Sequence, residues 1–157
     1  MFILTSILNE EPEAETGLKF SAPAADDWVE IRRLIGLFRL DADDLSSDQF
    51  VVCKNGETLL GFGRLKRHPE CDELSSLAVL RNFRGRGIGR RIVAELLGAV
   101  DRPVFIVTVI PAYFARLGFV ETKSFPLSIK IKLAGCETVC GGGPTVMIPA
   151  AKFETGV

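Results

Sequence analysis

The 157-residue chain has one histidine, one tyrosine and one tryptophan. It has no apolar run approaching the ~20 residues that a membrane span requires, so a membrane role is not expected. It also lacks an excess of positive charge. Nineteen Lys and Arg stand against twenty Asp and Glu, for a net charge of −1. A domain dedicated to nucleic acid usually carries a basic excess over its whole surface. Nucleic acid is therefore not expected as a partner, and any arginine cluster is a local device. Four cysteines (Cys53, Cys71, Cys136, Cys140) are too few for a disulfide framework in a chain of this size and read as thiols in a reducing cytosol. Cys136 and Cys140 alone give too few ligands for zinc, so no metal is expected. The opening MFILTSIL is too short for a signal peptide and has no basic segment before it. With no internal repeat and no linker, residues 1–157 read as one cytoplasmic domain.

Residues 1–17 read as an acidic lead-in, and 18–22 as a short strand. Pro23 opens a helix with Asp26 and Asp27 in its first turn, where acids suit the helix dipole. Trp28, Ile31, Ile35 and Phe38 give that helix one buried face. Residues 50–54 and 57–66 flank Asn55-Gly56, a strong hairpin signal because both residues tolerate positive φ. A third strand follows at 73–80, and a helix from about Gly87 to Val100 places Ile88, Ile92, Val93, Leu96 and Leu97 on one face. PVFIVTV (103–109) is apolar throughout, as in a strand covered on both sides. Strand, helix, strand in that order predicts a parallel right-handed crossover. A short helix at 112–118 and late strands follow, with residues 123–157 read as C-terminal strands and a Gly-rich turn. The fold class expected is α/β (α+β): a mixed, mostly antiparallel sheet flanked by helices.

The stretch RNFRGRGIGRR (81–91) holds five arginines and three glycines between a strand and a helix. Free backbone N–H groups and the positive end of the helix dipole meet there, which makes an anion site. Glycines at 85, 87 and 89 let the backbone approach a phosphate closely. The Gly-Lys-Ser/Thr of a Walker loop is absent, and the spacing G-x-G-x-G is not the dinucleotide fingerprint.

What remains, Arg84-Gly85-Arg86-Gly87-Ile88-Gly89 after LSSLAV and before an amphipathic helix, resembles the acetyl-CoA pyrophosphate loop of the GNAT N-acetyltransferases. The resemblance covers roughly residues 18–122 and includes Leu117-Gly118-Phe119. It implies that the amides of residues 84 to 90, Arg90 included, take the pyrophosphate of acetyl-CoA. It implies that Leu77, Ala78 and Val79 pair with the pantetheine arm, beside Phe114. A strand amide, that of Val79 or a neighbour, would stabilise the oxyanion.

The acceptor amine must lose a proton. An α-amino group with pKa ~8 costs about 1.4 kcal/mol at pH 7, and a lysine more than three times that. Glu73 matches the glutamate that serves as base in some members of the family, with Glu70 and Asp72 as neighbours able to act through water. Many members carry a tyrosine acid where this chain has Phe114. Tyr113 stands one place earlier, about 100° round a helix, so its hydroxyl is expected to face elsewhere. Either Tyr113 reaches in as the acid, or the thiolate leaves unaided.

ELSSLAV, the Thr108 to Tyr113-Phe114 spacing and FPLSIKIK resemble the acetyltransferase domain of N-acetylglutamate synthases. That implies an amino acid or small amine as acceptor, attacking directly in a ternary complex, with a homodimer possible. The arginine that group carries in its first strand is Ser21 here. Arg64 and Lys66, with Arg67, are candidates to supply that charge, against a plain reading as an exposed strand edge protected by charge. The competing readings are a catalytically weakened acyl-CoA-binding module and an acetyltransferase of protein N-termini or lysines. His68, next to Pro69, reads as exposed in a turn.

Overall fold

The computed structural model describes residues 17–139 and 143–150. The acidic lead-in, Cys140 and part of the Gly-rich turn lie outside the described residues. The elements run β1 (Leu18–Ser21), α1 (Ala25–Phe38), β2 (Phe50–Asn55), β3 (Thr58–Arg67), β4 (Asp72–Val79), α2 (Ile88–Gly98), β5 (Val104–Thr108), α3 (Pro111–Arg116), β6 (Phe119–Glu121), α4 (Leu127–Val139) and β7 (Thr145–Pro149). The seven strands form one sheet in the order β1-β2-β3-β4-β5-β7-β6. Only β4 and β5 pair in parallel; all other pairs are antiparallel, as a mixed, mostly antiparallel sheet requires.

Local chemistry accounts for most of these elements. Asp27 in the first turn of α1 accepts a hydrogen bond from the Ala24 N–H at 2.8 Å, which closes the helix start. Its other oxygen pairs with Lys54 of β2 at 3.0 Å and fastens the helix to the sheet. Ile31, Leu34 and Ile35 of α1 pack against Phe50, Val52 and Phe62 on one face. On the other face Ile92, Val93 and Leu96 of α2 pack on Leu60, Leu74 and Ile106. At Gly63 a Cβ would come within 2.7 Å of Ile92 and 2.9 Å of Leu96, so this glycine lets α2 lie directly on β3.

Two features of β4 prepare the site. First, the β3–β4 register slips by one residue between Phe62↔Ala78 and Arg64↔Ser75. Ser76 at φ 49° absorbs the extra residue, in a conformation rare for a side-chain-bearing residue. Second, β4 pairs with β5 at only two positions, Asp72↔Val104 and Glu73↔Phe105. Beyond Glu73 no pairing joins the two strands, and a cleft opens between them.

The C-terminal part departs from the strands expected there. Residues 127–139 form helix α4, and among the described residues after it Thr145–Pro149 is the one strand. Ile129 of α4 is buried with Cys71, Phe105 and Val146, and Leu133 packs against the same group. The alternating Leu-Ser-Ile-Lys-Ile-Lys reads as a strand, but Ile129 and Leu133, four apart, are the pair that reaches the sheet.

Candidate active site

A cavity of about 720 Å³ lies at the splayed end of β4. Leu77, Ala78 and Val79 form one wall. The turn into α2 forms the rim, with Arg84, Gly85, Gly87, Ile88, Gly89 and Arg90. Tyr113 and Phe114 of α3 stand opposite. Of the residues expected around acetyl-CoA, Arg86 alone is not part of the lining; its guanidinium lies 5.8 Å from the ring centre of Phe83. Phe38, Leu40 and Ile110 also border the cavity and carried no functional signal in the sequence.

The rim presents backbone N–H groups of the kind that suit an anion. Gly85 and Gly87 have φ of 81° and 77°, which glycine adopts without strain. Gly87 caps α2, and no side chain caps the helix start. The first-turn N–H groups of α2 therefore have no partner within the helix and lie beside the cavity. Arg84 Nε donates to the Val79 carbonyl at 2.8 Å and ties the turn to the end of β4. Arg90 donates to the Arg116 carbonyl at 2.8 Å and ties α2 to the end of α3.

Gly89 is different. A Cβ at that position would overlap the Tyr113 hydroxyl. The hydroxyl is therefore turned toward the start of α2 and borders the cavity, contrary to the expectation that it faces elsewhere. Phe114 is the more deeply buried of the two, packed edge to face on both Tyr113 (5.1 Å) and Phe119 (5.9 Å). Burial raises the Tyr113 pKa, opposed by the charges of Arg116 and Arg90.

Glu73 does not line this cavity. It lies on β4 opposite Lys66 of β3, at the point where β4 and β5 are still joined. It is 1% exposed. His68 Nε2 bonds one carboxylate oxygen at 2.8 Å, and Lys132 Nζ of α4 lies 3.4 Å from the other. His68 is thus only 16% exposed and engaged, rather than a bystander in the turn. Asp72 pairs with Arg102 at 2.9 Å, and Glu70 accepts from Ser128 at 2.6 Å.

Arg64 is not on an exposed edge. Strand β3 lies inside the sheet, between β2 and β4. The Arg64 side chain is fully buried and donates to Gln49 and to the carbonyls of Asp41, Asp43 and Asp44. It binds the segment after α1 onto the sheet. Burial lowers its pKa, opposed by the nearby carboxylates.

Asp41 gathers the remaining charges. Its Oδ2 lies 2.5 Å from Lys132 and 3.4 Å from Lys66, and its Oδ1 accepts from the Asp43 N–H at 2.9 Å. Burial alone would raise its carboxyl. The hydrogen bonds from Lys132 and Asp43, with the charges of both lysines, hold it down at about 2. Lys132 feels the converse: burial disfavours its charge, but Glu73 and Asp41 raise its pKa overall. Neither Asp41 nor Lys132 was singled out from the sequence, and register along β3 together with the placement of α4 is needed to bring them together.

Comparison with known proteins agrees with this geometry. The model of the acetyltransferase (GNAT) family matches residues 6–119. An uncharacterized N-acetyltransferase of Chlorobaculum tepidum is 34% identical over 70 residues, covering 41% of this chain and 45% of that protein. The chain thus matches less than half the length of that curated relative. N-acetylglutamate synthase from Neisseria gonorrhoeae, complexed with coenzyme A and N-acetyl-glutamate, superimposes with TM-score 0.68 at 17% identity, over 84% of this chain and 34% of that one. Rv2747 from Mycobacterium tuberculosis, in complex with CoA, gives 0.67 at 19% identity over 83% and 98%. An Arabidopsis thaliana protein in complex with the bisubstrate analogue CoA-Ac-MVNAL gives 0.61 at 13% identity over 85% and 99%. At these identities the structures establish a shared fold, whereas the family match spans most of the chain: this protein belongs to the acetyltransferase (GNAT) family.

Proposed function

We propose that the chain is an N-acetyltransferase that moves an acetyl group from acetyl-CoA to a primary amine. The observation that carries this reading is the join between the glycine turn at the start of α2 and the unpaired end of β4 around a single cavity. The turn offers N–H groups to a pyrophosphate, and the strand offers main-chain partners to the pantetheine arm. In the attack the amine nitrogen bonds the acetyl carbon, and a β4 amide near Val79 stabilises the oxyanion. The carbon–sulfur bond then breaks and its electron pair leaves with sulfur. Glu73 takes the amine proton through water, since it lies back along the strand from Ala78. Tyr113 is the hydroxyl positioned to protonate the thiolate.

An amino acid or other small amine is the acceptor favoured here, on the likeness to N-acetylglutamate synthase. Lys66 and Arg67 are the candidates on β3 to meet an acceptor carboxylate, because Arg64 is buried and committed to the segment after α1; Lys66 also pairs with Asp41, and the Arg67 side chain is 77% exposed. A cytosolic location suits Cys53, Cys71 and Cys136, which form no disulfide among the described residues.

Calorimetric titration with acetyl-CoA tests the cofactor, and thiol release tests the acceptor. The acceptor panel comprises L-glutamate, L-glutamine, a polyamine and a Met-initiated peptide. Micromolar binding of acetyl-CoA that Gly87→Glu abolishes is the expected result. Binding without turnover of any amine would favour the weakened acyl-CoA-binding module instead. No binding at all would overturn the proposal.

A further inference from the structure

We propose that His68 is a positioning residue for Glu73, fixing the orientation of its carboxylate for proton uptake; this rests on the reading of Glu73 as the base. The backbone that carries the histidine is itself held in place. The His68 main-chain N–H donates to the Cys71 carbonyl at 2.9 Å. Arg102 donates to the His68 and Pro69 carbonyls at 2.6 and 2.9 Å, while also bonding Asp72 at 2.9 Å. The connections therefore close on themselves: Asp72 holds Arg102, Arg102 holds the turn, the turn holds His68, and His68 holds the residue next to Asp72. A surface histidine with no task would not need a mount braced from three sides.

A carboxylate that is to take up a proton only accepts hydrogen bonds, so in this role Nε2 of His68 is the donor and carries a hydrogen. This fixes Oε2. Oε1 has a looser contact with Lys132 at 3.4 Å and keeps a lone pair for the proton of the acceptor amine. Without His68 the carboxylate is free to rotate fully onto the Lys132 ammonium, and a carboxylate closed into an ion pair is a poorer base. The protons balance. The amine loses one proton, through a bridging water, to Oε1 as its nitrogen bonds the acetyl carbon, and sulfur leaves with the pair from the broken bond and takes up a proton.

The test uses acetyl-CoA with L-glutamate, or with whichever amine of the panel is turned over. His68→Ala is expected to lower kcat about tenfold, less than the 10²–10⁴ that a full general base supplies. Its Kd for acetyl-CoA should stay unchanged. His68→Gln, whose amide nitrogen reaches about where Nε2 lies, should restore most of the rate. In a Glu73→Gln background, His68→Ala should cost nothing further, because the two act as one unit. Because the chain has a single histidine, nitrogen NMR reads its tautomer without ambiguity and without any acceptor. The Nε2–H form is expected, with a ring N–H that exchanges faster in Glu73→Ala. An Nδ1–H tautomer, a fully active His68→Ala, or losses that multiply in the double variant would each overturn the positioning role. A fully active Glu73→Gln would instead remove the base on which it rests.

Discussion

Gly89 shows how three glycines in one turn answer to two different demands. Gly85 and Gly87 are glycine because of their backbone angles, with φ near 80°. Gly89 is glycine because the Tyr113 hydroxyl occupies the space of a Cβ. Gly89→Ala should therefore destabilise by about 1–3 kcal/mol, the usual range for overpacking a tight site. Tyr113→Phe in the same chain should recover most of that loss, since it removes the overlapping oxygen and keeps the ring. Urea midpoints of the two single variants and the double variant decide it; a double variant no better than Gly89→Ala refutes the contact. The glycine spacing was legible in the sequence, and so was its place between a strand and a helix start. The reason for the third glycine was not, because its neighbour comes from another helix. The same limit hid the burial of Arg64. Its alternation with Lys66 looks like a charged edge until pairing with β2 and β4 places the strand inside the sheet.

Helix α4 is the element that sequence periodicity concealed. Apolar residues every second place along 127–131 satisfy a strand pattern, and the helix instead leaves Leu127 and Ile131 exposed at 64% and 65%. Its contacts include Ile129 and Leu133 in an apolar group, Ser128 on Glu70, and Lys132 on two carboxylates. The strands and helices that position the cavity were legible because each has strong local signals: the Asn-Gly hairpin, the amphipathic face of α2, the apolar run of β5. Helix α4 has no such signal, and the charge cluster under it went unread with it. Lys132→Ala should loosen α4 selectively, because it leaves Asp41 and Glu73 without their shared cation. A loss of about 1–3 kcal/mol is expected from removing one partner of a buried charged group. Hydrogen exchange should show faster exchange across Leu127–Val139 while α2 stays protected. Equal acceleration in both helices would mean that Lys132 holds the whole domain rather than one element.

At the scale of the whole molecule, Asp41 links the segment after α1, strand β3 and helix α4 through Arg64, Lys66 and Lys132. That linkage depends on its charge. Its folded pKa of about 2 lies below the ordinary 3.8, so the folded state binds the proton less readily than the unfolded chain does. The stability it supplies is complete above about pH 4 and is lost as pH falls through about 2. Asp41→Asn should lower Tm by several degrees at pH 7, since roughly 1 kcal/mol shifts a domain of this size by about 2–4 °C. The gap from wild type should narrow steadily from about pH 4 downward and nearly close by pH 2, where protonation makes the native residue resemble the variant. Thermal scans of both proteins over this interval measure it directly. A gap that stays constant with pH would show that Asp41 contributes through shape and hydrogen bonding alone, and that its carboxylate charge does not tie the three elements together.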